Sequence, residues 1–68
     1  MKSNKYNLYA VVERYDGSIL KQRVCKVDEN ISQSDISVKL QNYKKILGSG
    51  YLIIDWYIDV WVANIPWL

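Results

Sequence analysis

The sequence predicts an α+β fold in which a single helix packs on one face of a three-stranded antiparallel sheet, with elements in the order strand, strand, helix, strand. Three observations carry this. The stretch Tyr51 to Val62, YLIIDWYIDVWV, alternates at the strand period. Leu52, Ile54, Trp56, Ile58, Val60 and Val62 share one side with no polar member, and Tyr51, Ile53, Asp55, Tyr57, Asp59 and Trp61 share the other, because successive strand side chains point to opposite faces. Lys5 to Tyr15 alternates in the same way and runs into Asp16-Gly17, a hairpin signal because Gly accepts the positive φ that such turns require. Ile36, Leu40, Tyr43 and Leu47 recur at helical spacing, with Ile46 widening the stripe. One apolar stripe needs one apolar sheet face, so strand one is expected at the centre, in strand order 2-1-3. A right-handed crossover that pairs strand three with strand two is the runner-up.

The 68 residues read as one domain, 1–68: strand 5–15, strand 19–28, helix 33–47, strand 51–63 and a tail at 64–68. Met1 to Asn4 is a polar lead. In strand one, Tyr6, Leu8, Ala10 and Val12 share the core side, and Asn7, Tyr9, Val11, Glu13 and Tyr15 the other. Strand two has two registers, which differ by a slip that exchanges its faces. A two-residue turn places Ile19, Lys21, Arg23, Cys25 and Val27 on the core face. A three-residue loop with a glycine bulge places Leu20, Gln22 and Val24 there. The second is preferred because it sets Leu20 opposite Val12 and Val24 opposite Leu8, leaves Lys21 and Arg23 in water, and needs only an irregularity near Cys25 to turn Val27 inward.

Asp28 to Asn30 is a polar break before the helix. Ser32 followed by Asp35 resembles a capping box, and Ile31 with Ile36 a hydrophobic staple. Lys44 and Lys45 suit the negative end of the helix dipole, and Gly48 ends the helix. Pro66 cannot donate to a ladder and holds Ile65 extended, so strand three should end by Asn64. Tyr51 to Val62 spans roughly 40 Å at about 3.3 Å per residue. A helix of about fifteen residues spans roughly 22 Å, so part of the apolar face of strand three should overhang. Its outer edge has no Lys or Pro gatekeeper before Pro66, and a homodimer paired through strand 51–63 would cover it. Ile53, Ile65, Trp67 and Leu68 are the expected dimer or tail contacts.

Composition narrows the function classes. Half the residues are hydrophobic, with three Trp and six Tyr, too apolar for a disordered chain. The net charge is +2, but all nine Lys and Arg lie before Ile46, and beyond it stand Asp55 and Asp59 with no base. Without His and with Cys25 as the single cysteine, there is no disulfide and no zinc-type ligand set. No phosphate loop or nucleophile motif is present. Asp55 and Asp59 stand about 13 Å apart along one strand, too far for a paired-carboxylate site. The expectation is a cytoplasmic, non-enzymatic protein without cofactor or metal. No signal-peptide pattern is visible, and the apolar run is shorter than the ~20 residues a membrane helix needs.

The candidate protein-binding residues are Tyr9 and Tyr15 of strand one with Asp55, Tyr57, Asp59 and Trp61 of strand three. Tyr and Trp are favoured interface anchors, and the acids between them suit a basic partner surface. Ordinary cross-strand stabilisation is the bland alternative. The same aromatics resemble the stacking platforms of single-strand nucleic-acid binders, the weaker reading because Glu13, Asp55 and Asp59 share that face, with Lys21 and Arg23 offsetting them at one end. A structural oligomer is a third reading.

The strand-strand-helix start resembles the β-grasp layout of ubiquitin-like and immunoglobulin-binding domains. The small size, aromatic sheet and lack of catalytic motifs resemble the small inhibitors of phages and mobile elements, such as anti-CRISPR proteins and uracil-DNA glycosylase inhibitors. At the level of fold, that analogy implies an anti-defence inhibitor or adaptor that works by occupying a surface on another protein.

Overall fold

A computed structural model describes residues 4–62. It comprises strands β1 (Tyr6–Asp16) and β2 (Ile19–Ile31), a 3-10 turn (Gln33–Asp35), helix α1 (Ile36–Leu47) and strand β3 (Tyr51–Val60). The sheet has the order β2-β1-β3, and both pairings are antiparallel. This is the α+β arrangement the alternation predicts, with the central place taken by β1. No helix among the described residues is long and apolar enough to cross a membrane.

The hairpin joining β1 to β2 has the tighter of the two loops open to the sequence. Asp16 pairs with Ile19, which leaves Gly17 and Ser18 as the loop. Gly17 has φ +67°, and glycine at the first of two loop positions fits a type II′ turn. The even two-residue loop sets Arg23 opposite Val12 and Cys25 opposite Ala10. The preferred register, with Leu20 and Val24 on the core side, is therefore corrected. Leu20 faces Tyr15 and Val24 faces Val11, and both lie on the side away from the helix. The turn decides the register because a two-residue loop leaves no freedom to slip.

The polar stretch Asp28 to Asn30 does not end β2. The ladder absorbs it through register shifts between Leu8 and Tyr9 and between Tyr6 and Leu8 of β1, and Asn30 takes φ +55°. One extra residue on a bulged strand re-aims the side chains beyond it. Val27 joins the core by this route, and Ile31 is buried. The expected end at residue 28 therefore moves to Ile31.

β3 carries a shift of its own. Val11 pairs with Asp55 but Val12 with Ile53, so Ile54 has no partner on β1. Beyond this bulge the two faces exchange. Trp56, Ile58 and Val60 lie on the helix side, as the alternation predicts. Ile53 and Tyr51 join them, opposite Val12 and Arg14, while Leu52 turns to the open side opposite Glu13. The unbroken alternation from Leu52 to Val62 is corrected at this point. The strand ends at Val60, short of the expected 63, although the Trp61 backbone N–H still donates to the Lys5 carbonyl at 2.8 Å.

The helix begins later than residue 33, because Gln33–Asp35 is a 3-10 turn. Ser32 Oγ donates to Asp35 Oδ2 at 2.9 Å instead of bonding the backbone as a capping box would. Ile31 and Ile36 pack in one cluster with Leu8, and Val27, Leu40 and Ile58 are set against it. Tyr43 and Leu47 are half-buried, but Ile46 is 78% exposed and lies outside the stripe. The core is short of material: the buried hydrophobics are Leu8, Ala10, Val12, Ile31 and Ile36. α1, of 12 residues, extends about 18 Å at about 1.5 Å per residue. It leaves Trp56 at 45% and Val60 at 59% exposure on its own side of the sheet, the overhang expected of β3.

One ion pair ties helix to sheet. Lys39 Nζ lies 2.8 Å from Asp28 Oδ2, and the Asp28 Oδ1 accepts the Glu29 backbone N–H at 2.8 Å. The Lys39 bond, then the backbone bond, holds the Asp28 carboxyl below its ordinary 3.8. The same contact raises Lys39 above 10.5. A carboxyl with a depressed folded pKa adds stability above its unfolded value and loses it as pH falls through the folded one. Asp28→Asn should therefore lower the urea midpoint at neutral pH, and the difference from wild type should shrink as pH falls past 3.8, the ordinary value of the group, and vanish once pH is below the depressed folded value. Equilibrium unfolding across that range checks this. Leu8→Ala should remove about 2–5 kcal/mol. A core this small supplies about 3–5 kcal/mol in all, so circular dichroism should find the variant largely unfolded at 25 °C, about the reference temperature of those figures.

Candidate functional site: the open face of the sheet

Helix α1 covers one face of the sheet, and no described element covers the other. Since Leu8, Ala10 and Val12 point to the helix, the intervening β1 residues Asn7, Tyr9, Val11, Glu13 and Tyr15 point away from it. Register brings β2 residues Leu20, Gln22, Val24 and Lys26 beside them, and β3 residues Leu52, Asp55, Tyr57 and Asp59 on the other flank.

At the centre, Tyr9 and Tyr57 are direct cross-strand partners with ring centroids 5.0 Å apart and planes 17° from parallel. Around this stack the apolar surface continues into solvent: Val24 is 54%, Leu52 54% and Tyr15 68% exposed. Isolated exposed apolar residues are ordinary, but a contiguous group on one face marks an interaction surface. Polar groups frame it. Gln22 Nε2 donates to Glu13 Oε2 at 2.8 Å, Lys26 pairs with Glu29 at 3.3 Å, and the Asp55 Oδ1 accepts the Trp56 backbone N–H at 2.8 Å. Asn7 Oδ1 is buried and has no hydrogen-bond partner among the described residues. A buried acceptor without a donor costs about 1–3 kcal/mol.

Of the residues singled out from sequence, Tyr9, Tyr15, Asp55, Tyr57 and Asp59 meet on this face. Trp61 is half-buried just past the end of β3. Ile53 does not join them, because the bulge at Ile54 turns it to the helix side opposite Val12. Ile65, Trp67 and Leu68 lie outside the described residues. The sequence reading missed Leu20, Val24 and Leu52 as members of the face. The first two arise from the hairpin register, for which Gly17 as first loop residue is the one signal. Leu52 arises from the Ile54 bulge, which has no signal in the residue types around it. Lys21 and Arg23 are not on this face: both point to the helix side beside Arg14.

On the helix side, the Tyr43 phenol sits beside the Cys25 thiol. That contact, with burial second, pushes the phenol above its ordinary 10.0. Cys25 is thereby a half-buried packing residue against the helix. Among the described residues no three His, Cys, Asp or Glu side chains converge as a metal site would require. Comparison of the chain with protein-family models, with curated proteins and with solved structures gives no match.

Aromatic cross-strand pairs stabilise a sheet beyond the area they bury. A double-mutant cycle on Tyr9→Ala and Tyr57→Ala should give a coupling of about 0.5–1.5 kcal/mol by denaturant unfolding. Both single variants should stay folded, because the core lies on the opposite side.

Proposed function

We propose that this protein is a non-catalytic protein-binding module whose working surface is the open sheet face. The observation that supports the reading is the Tyr9–Tyr57 stack with the exposed Val24, Leu52 and Tyr15 on the same sheet face, which no described element covers. Large, rigid aromatics give contact area at low entropic cost, and Tyr and Trp dominate interface energetics. Glu13, Asp55 and Asp59 surround the stack, with Lys26 as the cation of the face, so a partner with basic groups around an apolar centre is the complement. An inhibitor or adaptor of the phage or mobile-element kind, acting in the cytoplasm, fits a chain this small that works by covering another protein's surface. The aromatic face is a poor nucleic-acid platform by comparison, since its acids repel phosphate and Lys21 and Arg23 lie on the far side.

A second copy is part of this proposal. The outer edge of β3 has no partner among the described strands, and unpaired edges invite a strand from another chain. Ile54, the residue without a partner on β1, is 42% exposed. Sedimentation should give a dimer for wild type and a monomer for Ile54→Lys.

The binding surface is tested separately by capture from lysate, with partners identified by mass spectrometry. Tyr57→Ala and Val24→Asp should each reduce recovery of the specific partner at least tenfold, the loss expected for a residue of about 1.4 kcal/mol or more at an interface. Lys45→Ala, on the helix end, should leave it unchanged. Equal recovery by the face variants, with their folds intact, would rule the face out.

A further inference from the structure

The helix side of the sheet carries a second surface of opposite chemistry. Past the end of the core, the residues that continue the buried row are charged. Arg14 follows Val12 on β1, and its direct cross-strand partner on β2 is Lys21, with Arg23 opposite Val12. Arg14 and Lys21 are like charges directly opposite each other, an arrangement that destabilises a sheet, and Arg23 is the third cation beside them. They surround a cleft of about 310 Å³ with Val12 in its floor and Tyr51 in its wall. Tyr51 pairs with Arg14 on β3, and its ring centroid lies 5.8 Å from the guanidinium carbon. A second cleft, of about 550 Å³, shares Tyr51 and is walled by Lys44 and Lys45 at the helix end. Five of the nine Lys and Arg of the chain thus line two clefts that share Tyr51. Among them lies one acid, Asp16, which pairs with Lys21 at 3.0 Å. Arg14, Arg23, Lys44 and Lys45 have no carboxylate partner among the described residues.

We propose that these two clefts form one groove that binds the backbone of a single-stranded nucleic acid, with Arg14 and Arg23 on phosphates in the first cleft, Lys44 and Lys45 on phosphates in the second, and a base against Tyr51 between them. The planar guanidinium matches the oxygens of a phosphate in pairs. A basic track interrupted by an aromatic is the pattern that holds single strands without sequence preference. Clefts of a few hundred cubic ångströms admit a sugar-phosphate chain, whereas a duplex offers a rigid cylinder that would rest on their rims. This groove lies on the opposite side from the Tyr9–Tyr57 surface, and its occupancy does not depend on the reading given for that surface.

Fluorescence anisotropy with a labelled oligothymidylate of about fifteen nucleotides, at about 50 mM NaCl and then at rising salt, tests the groove. Wild type should bind, with affinity that falls steeply with salt. Arg14→Gln with Arg23→Gln should weaken binding at least tenfold and lower the log–log salt slope by about 1.4, which is about 0.7 for each lost phosphate contact on a single strand. Both positions are exposed and the change relieves like-charge crowding, so the thermal midpoint should hold or rise. Lys44→Gln with Lys45→Gln, on the solvent side of the helix end, is a second variant independent of the hairpin and should also weaken binding several-fold. Tyr51→Leu should cost at least fivefold, and Tyr57→Ala should leave affinity within twofold. The proposal is overturned if wild type does not bind, if the double arginine variant binds like wild type, or if Tyr57→Ala is as damaging as the groove variants. Equal competition by poly-glutamate would likewise overturn it in favour of an acidic protein surface, and tighter binding of a duplex would exclude the single strand.

Discussion

The contact of Ile36 and Leu40 with Leu8, Ile31, Val27 and Ile58 is what the rest of the structure depends on. It is the place where helix and sheet exclude water together. Few side chains contribute to it, and those in the middle of β1 are buried by both neighbouring strands as well as by the helix. Burial of apolar area at about 25 cal/mol per Å² must here offset the ordering of the whole chain, so there is little surplus. The exposed ion pair of Lys39 with Asp28 can add only a small increment, as screened surface pairs do. Its place at the β2 bulge still helps to orient α1 over the sheet.

A single short helix over a longer sheet leaves three unlike surfaces. The overhanging edge of β3 exposes Trp56 and Val60, the open face presents stacked tyrosines with acids around them, and the distal helix side gathers the cations. The weak net charge of +2 hides this separation. Opposite charge on opposite sides gives long-range direction to an approaching partner, and it does so most strongly at low ionic strength. Tyr9, Val11 and Glu13 alternate with Ala10, Val12 and Arg14 on one strand, so β1 supplies side chains to both faces.

Bulges do most of the local shaping. The shift at Asp28 turns Val27 and Ile31 into the core, and the unpaired Ile54 exchanges the faces of the first residues of β3. In both places an aspartate carboxylate accepts the backbone N–H of the next residue at 2.8 Å, an interaction that competes with regular ladder bonds. Asp28 and Asp55 are in this sense backbone ligands as well as surface charges.

The residues by themselves determined the class of fold, the order of elements, the central place of β1 and the helix stripe of Ile36, Leu40, Tyr43 and Leu47, though not its widening by Ile46. Each of these rests on local periodicity, and periodicity is written in residue type. The meeting of Tyr9, Tyr15, Asp55, Tyr57 and Asp59 on one face was also legible, because parity along β1 and along the second half of β3 is enough to place them. Only the tertiary structure decided the register of β2 and the phase of β3 before Ile54. One residue gained or lost in a ladder reverses every side chain beyond it, and two-residue loops and bulges are chosen by the balance of the whole sheet more than by any one residue. That is why Leu20, Val24 and Leu52 came to the open face unannounced, and why Lys21 and Arg23 stand beside Arg14 instead of beside the tyrosines. The sequence holds all the charges, but the side of the sheet on which each of them stands is a property of pairing.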